Sequence, residues 1–364
     1  MDAFLEGLVE ILKVVKDPQT GIDIVTQKMV RNLKVDGKNV SFELYLPSQN
    51  YPNKDELYQN TEARLQSAYP DMNFHVHFVI KSAFADAPNA LLPQITNFIA
   101  VCSGKGGVGK STVSVNLAIA LSRLGFKTGL LDADLYGPSL PTMLGIKDQR
   151  PQVKDQDGKK LLVPVKAQQI PVMSLGNIIE PEQAVVLRGP RLAAIIKQFF
   201  QETSWPPLDY LIIDLPPGTG DVQLTLVQTI PLTGVVMVTT PQEVAVIDAI
   251  KAANMFSMDQ IKVPILGVVE NMAWFQPEDQ PEKKYFIFGK HGGTRLAHFT
   301  HSTVLGQIPI VESLRERSDT GKVFDTLSGE EYPVLYESIA KSLDQKVKLR
   351  NLVMSPTQQV VPNV

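Results

Sequence analysis

Gly104-Lys105-Gly106-Gly107-Val108-Gly109-Lys110-Ser111 constrains this chain more than any other stretch. It fits G-x-x-x-x-G-K-[ST], a loop whose backbone N–H groups turn inward around phosphate oxygens. Such a loop needs a strand to deliver it and a helix to begin beneath the phosphates. Ile95 to Val101 is apolar enough for a buried parallel strand. Val113, Leu117, Ala120, Leu121 and Leu124 then recur at helical spacing. The helix N-terminus adds partial positive charge to the cradle. Lys110 is expected to neutralise the β- and γ-phosphates, and the Ser111 hydroxyl to ligate Mg²⁺. The predicted cofactor-binding set is Gly104, Lys105, Gly106, Gly107, Val108, Gly109, Lys110, Ser111 and the adjoining Thr112, with ATP and Mg²⁺ as the ligands.

Two acidic strand ends extend this site. The run Leu130-Leu131-Asp132-Ala133-Asp134 puts carboxylates at the carboxyl end of a strand, facing the crevice that holds the loop. Asp134 is the candidate for positioning or activating the attacking water, with Asp132 supporting Mg²⁺ or the loop. Tyr210-Leu211-Ile212-Ile213-Asp214 is a second apolar strand ending in an acid, and Asp214 is predicted to hold a Mg²⁺-bound water. In the following segment, Leu215 to Asp221, the Gly218 N–H is available to a γ-phosphate and the loop is able to change shape when that phosphate leaves. Asn271, after Val268-Val269-Glu270, offers donor and acceptor to an adenine edge.

The rest of the chain organises around that core. Its 364 residues, 44% of them hydrophobic, allow two domains with full cores. Residues 1–82 read as a small α+β domain. Its elements are a helix with Leu5, Leu8, Val9, Ile11, Leu12 and Val15 on one face, strands from Ile22 to Leu33 and Val40 to Tyr45, a polar helix from Lys54 to Ala68, and a strand through Phe74–Phe78. Residues 83–94 read as a linker, 95–348 as the nucleotide domain and 349–364 as a flexible tail. Within 95–348, strands at Thr128–Asp132, Tyr210–Asp214, Val235–Thr239, Ile265–Val269 and Val304–Ile308 alternate with helices, and Asp148–Ile179 reads as an excursion. The expected fold class is α/β, a doubly wound, mostly parallel P-loop NTPase sheet with a small N-terminal α+β domain. A net charge of -3 gives no bulk attraction to nucleic acid or anionic lipid, so neither partner is expected. The single cysteine, Cys102, permits no intrachain disulfide, and the start is no secretory signal, which together point to the cytoplasm.

An ordinary cradle of this kind needs only Lys110, yet Lys105 follows its first glycine. The loop resembles the deviant P-loop of dimeric ATPases that include MinD, ParA and the nitrogenase iron protein. That resemblance implies that Lys105 reaches the nucleotide of a partner subunit in a homodimer and acts in catalysis with Lys110 and Asp134. Three segments carry a more specific likeness: Cys102 to Ser111, Asp132-Ala133-Asp134-Leu135-Tyr136-Gly137-Pro138-Ser139, and Asp214-Leu215-Pro216-Pro217-Gly218-Thr219-Gly220-Asp221. With Glu270 to Phe275, Ile287-Phe288-Gly289 and the N-terminal module, they resemble the Mrp/ApbC family of ATP-binding iron–sulfur cluster carriers, from about residue 5 to about residue 340. The resemblance implies slow ATP hydrolysis, a [4Fe–4S] cluster held transiently between subunits, and its delivery to apoprotein clients.

One departure bears on the cargo. The family holds its cluster with a C-x-x-C pair soon after the Asn-Met segment, whereas here Gln276 to Tyr285 contains no cysteine. Such clusters take four thiolates, and Cys102 precedes the phosphate loop, where a cluster would collide with the nucleotide. Cys102 therefore reads as a small buried residue. His298 and His301, three apart on a predicted helix, and His75 with His77 on one strand face, read as surface residues rather than metal ligands. Two other functions fit the same cradle: a MinD/ParA-like positioning ATPase, whose membrane-binding element would be the mildly amphipathic Lys341–Leu352, and an ATP-switched adaptor with no cluster of its own.

Overall fold

The computed structural model describes residues 2–354 except 28, 47–50, 52, 81–91, 135–136, 157, 179–197, 221–222, 225, 228–229, 259–260, 278, 281 and 326–330. These residues form two compact units.

The smaller unit opens with α1 (Asp2–Val14), whose Leu8, Val9 and Leu12 are buried, and carries a sheet of β1 (Val30–Asp36), β2 (Asn39–Leu46) and β3 (Asn73–Ile80), with α2 (Lys54–Ala68) between the last two. The antiparallel β1–β2 hairpin turns at Asp36–Asn39, and β2 and β3 run parallel. The strand predicted from Ile22 starts only at Val30. Carboxylates divert the chain first: Asp23 accepts the Val25 and Thr26 N–H groups at 3.1 and 2.7 Å, and Asp17 accepts from Gln19, Thr20, Gln27 and Tyr51. Backbone donors satisfied by side chains leave nothing for a strand ladder.

The larger unit is built on one sheet, in the order β13-β12-β11-β4-β10-β5-β9-β8. Its strands are β4 (Ile95–Ser103), β5 (Thr128–Asp132), β8 (Val165–Ala167), β9 (Ile170–Ser174), β10 (Leu208–Asp214), β11 (Gly234–Thr239), β12 (Ile265–Phe275) and β13 (Val304–Ile310). All neighbours are parallel except β8 with β9. This is the expected α/β architecture. The helices are α3 (Lys110–Arg123), α4 (Leu140–Met143), α5 (Glu243–Ser257), α6 (Gly292–Phe299), α7 (Glu312–Thr320) and α8 (Glu331–Val353). Side chains of β4, β10 and β11 pack with Phe199, Phe200 and Phe256 in the main core.

Three further expectations change. The excursion after Asp148 is only partly one: β6 (Gln152–Gln156) and β7 (Lys159–Val163) form a separate hairpin, but β8 and β9 extend the main sheet. The tail does not begin at 349, because α8 continues through Val353, and from Gln345 onward it belongs to the smaller unit. Leu349 and Leu352 join that unit's apolar core, so the amphipathic face read as a membrane-binding element is already covered. His301 lies beyond the end of α6 with φ 51°, so it shares no helical face with His298. Most of the predicted linker, 83–91, lies outside the described residues, as do 355–364.

Candidate nucleotide site

Strand register assembles the site. Val101 on β4, Asp214 on β10, Asp132 on β5 and Ser174 on β9 pair in one row across four neighbouring strands. The row lies at the carboxyl edge of the parallel sheet, beside the strand from which the chain order runs in both directions, the crevice where open α/β sheets bind ligands.

The phosphate loop leaves β4 just above this row. Gly107 and Gly109 both have φ 83°, a left-handed backbone that favours glycine, and Gly109 immediately precedes α3. Gly104 has a different reason to be glycine: a Cβ there would lie 2.0 Å from the Asp248 carbonyl carbon and 2.2 Å from the Ala249 nitrogen, both backbone atoms of α5.

Lys110 is buried, and its ammonium is 2.8 Å from Asp214 Oδ2 and 3.4 Å from Asp134 Oδ2. Burial alone would lower its pKa, but the charges of Asp214 and Asp134 outweigh that and hold it above the ordinary lysine value. Ser111 donates to Asp214 Oδ2 at 2.7 Å. Asp132 is wholly buried and accepts from Ser174 Oγ at 2.8 Å and from the Asp134 N–H at 3.1 Å. Burial, reinforced by the Asp214 charge, pushes its pKa up to about 8. These contacts support the loop that carries Asp134. Lys110, Ser111, Asp134 and Asp214 thus converge, with Asp132 behind them. Lys105 is exposed.

Two of the predicted residues have partners within the protein. The Gly218 N–H donates to the Ser103 carbonyl at 2.9 Å, so the donor predicted for a γ-phosphate is engaged by the base of the phosphate loop. Asn271 lies within β12, not after it, and its amide nitrogen donates to the Val108 carbonyl at 2.9 Å, strapping that strand to the loop. The strand bends immediately afterwards, at Met272 with φ 54°.

Residues that sequence reading passed over complete the framework. Ser114 on α3 donates to Asp214 Oδ1 at 2.6 Å. Gln223 Nε2 meets the Cys102 sulfur at 2.8 Å. Glu270, buried in β12, accepts from the Gly293 N–H at the start of α6 and from Gln307. Their common signal was a polar residue interrupting an apolar element, as Ser114 does in α3 and Glu270 in β12.

Ser111 and Asp214 offer hard oxygens beside a phosphate cradle, the chemistry Mg²⁺ takes, whereas Asp132, predicted to support Mg²⁺ or the loop, has both oxygens engaged by Ser174 and the Asp134 N–H. Ser111 and Asp214 fit the ion. The cluster is different cargo. Cys102 is fully buried, and burial pushes its thiol up to about 12 against the opposing Gln223 contact. Among the described residues no three His, Cys, Asp or Glu side chains gather as a metal site. A [4Fe–4S] cluster ligated by this chain's own thiolates does not fit.

Fold and site together define a P-loop NTPase of the MinD/ParA structural type. Residues 94–344 match the family described as the NUBPL iron-transfer P-loop NTPase, and residues 6–73 match an iron–sulfur cluster assembly protein family. The chain is 40% identical to an iron–sulfur cluster carrier protein of Synechocystis over 356 residues, 96% of this chain and 99% of that one. It is 49% identical to that of Escherichia coli K12 over 227 residues, 62% of this chain and 60% of that one. A nucleotide-binding protein from Archaeoglobus fulgidus, solved in complex with ADP, is 38% identical with a TM-score of 0.56, covering 65% of this chain and 91% of that one. MinD from Pyrococcus horikoshii, at 21% identity and a TM-score of 0.51 over 68% of this chain and 96% of that one, shares the fold. The chain belongs to the Mrp/ApbC family of iron–sulfur cluster carrier P-loop NTPases.

Proposed function

We propose that this protein is a Mg²⁺-dependent ATPase that works as a cytoplasmic homodimer in the delivery of iron–sulfur clusters to apoproteins. The observation that carries the reading is the convergence of Lys110, Ser111, Asp134 and Asp214 at the mouth of the 104–111 loop. When ATP binds, its phosphates replace the carboxylates as partners of Lys110, and the loop's N–H groups surround the β-phosphate. Ser111 and, through a bound water, Asp214 would hold Mg²⁺, and the ion would supply charge neutralisation at the phosphates. Asp134 orients the water that attacks the γ-phosphorus. Lys105 supplies positive charge in trans. Asn271, its amide plane fixed by Val108, presents its carbonyl oxygen to adenine.

The chain does not hold the cargo on thiolates of its own. Cluster ligands come from a partner, and ATP switches the partner's grip, which is the adaptor version of the family's task. Calorimetry with ADP and ATP tests the nucleotide half: micromolar or tighter uptake by the wild type and none by Lys110→Ala is expected, and equal uptake by both would remove Lys110 from the phosphates. Anaerobic reconstitution with iron and sulfide tests the cargo half. The chain alone should retain no stoichiometric four-iron cluster, and a stable cluster with visible absorbance would overturn partner ligation.

A further inference from the structure

Asp214 is gripped from two sides. Its Oδ2 faces Lys110 and Ser111, the groups that meet the nucleotide, while its Oδ1 is 2.6 Å from Ser114 Oγ. Ser114 stands one helical turn beyond Lys110 on α3, is wholly buried, and is also 3.1 Å from the Lys110 carbonyl. A hydroxyl has one proton to give, and the shorter contact, to a carboxylate, is the stronger acceptor. That bond fixes the rotation of the Asp214 carboxylate about its Cβ–Cγ bond. With Oδ1 anchored to the helix, only Oδ2 is turned toward the phosphate loop.

We propose that Ser114 is a positioning residue for magnesium: it aims one oxygen of Asp214 at the site where the ion joins the phosphates. The inference rests on the nucleotide reading above. Ser114 touches neither phosphate nor metal, and acts through Asp214. Without its hydroxyl, Asp214 Oδ1 is a buried acceptor without that donor, and the carboxylate is free to turn toward Lys110 with either oxygen. Asp214 would then be poorly oriented toward the water that magnesium carries, while the glycine cradle and Lys110 stay as they were.

The test is ADP affinity by calorimetry on the full chain, across a magnesium series and in EDTA, for the wild type, Ser114→Ala and Ser114→Cys. Alanine has the best helix propensity and removes only one atom, and a cooperative melting transition for each variant shows that it is folded before binding is compared. Ser114→Ala should raise the magnesium concentration at half-maximal tightening about tenfold, the scale of one hydrogen bond to a charged group, and leave affinity in EDTA within about twofold. The weaker thiol donor of Ser114→Cys should fall between. An unchanged magnesium midpoint, or an equal loss with and without the ion, overturns the proposal. A wild type that takes up no ADP in either condition overturns the nucleotide reading and takes this inference with it.

Discussion

Lys110 is the residue on which competing charges meet. In the structure its partners are carboxylates, so an arriving nucleotide must win the ammonium from Asp134 and Asp214. Replacing Asp134 by asparagine removes one competitor while keeping the side chain's shape. Asp134→Asn should bind ATP several-fold more tightly in calorimetry and release phosphate about 100-fold or more slowly, the scale of losing a group that orients water; unaltered turnover would assign the water to another residue. Asp132 makes a different prediction. Its carboxyl titrates near 8 in the fold and in the ordinary carboxylate range when unfolded, so between those values the native chain binds the extra proton. Stability therefore falls as pH rises from about 4 through about 8. Melting temperature should decline across that window for the wild type and decline less for Asp132→Asn, which cannot ionise. Parallel curves would place the sensitivity elsewhere.

At the scale of elements, the close approach of α5 to the phosphate loop explains a glycine that the motif alone does not. A methyl group at position 104 would strike the α5 backbone, which has no rotamer to move aside. Gly104→Ala should therefore cost about 1–3 kcal/mol, seen as a melting temperature several degrees lower, and should blunt stabilisation by ADP. A variant with both melting and ADP response intact would show that α5 yields. The strands flanking this loop were legible in the sequence because each is an apolar run bounded by turn residues, and Thr128–Asp132 was bounded at both ends. What escaped reading was longer in range. The join of β9 to β5 rests on a pairing that no local pattern announces. Asp17 and Asp23 cut a predicted strand short through side-chain hydrogen bonds that propensity does not encode. The last turns of α8 looked like a tail because the apolar surface that covers Leu349 and Leu352 is built some 270 or more residues earlier in the chain. At the site, the motif residues were legible, while the serines and Gln223 that orient them were not, since their partners come from other elements.

For the whole molecule the open quantity is the number of chains in a working site. Lys105 is exposed at the loop's rim, whereas Lys110 is buried in it, so the two lysines of one motif have opposite surroundings. A second ammonium held in solvent is poorly placed to serve its own nucleotide, and in the proposed homodimer it would serve the neighbouring copy's instead. Two variants separate the cases. Lys105→Ala keeps its own Asp134 but lacks the reaching lysine; Asp134→Ala has the lysine but cannot orient water. Each should bind ATP and turn it over at a few per cent of the wild type or less. Mixed in equal amounts and allowed to exchange, half the dimers are hybrids, and in each hybrid one site combines an intact Asp134 with a lysine from the other chain. Phosphate release should then recover to about one quarter of the wild-type rate, because half the dimers carry one working site of two. If Lys105 acts within its own chain, every hybrid site still lacks one of the two groups and the mixture stays as slow as its components.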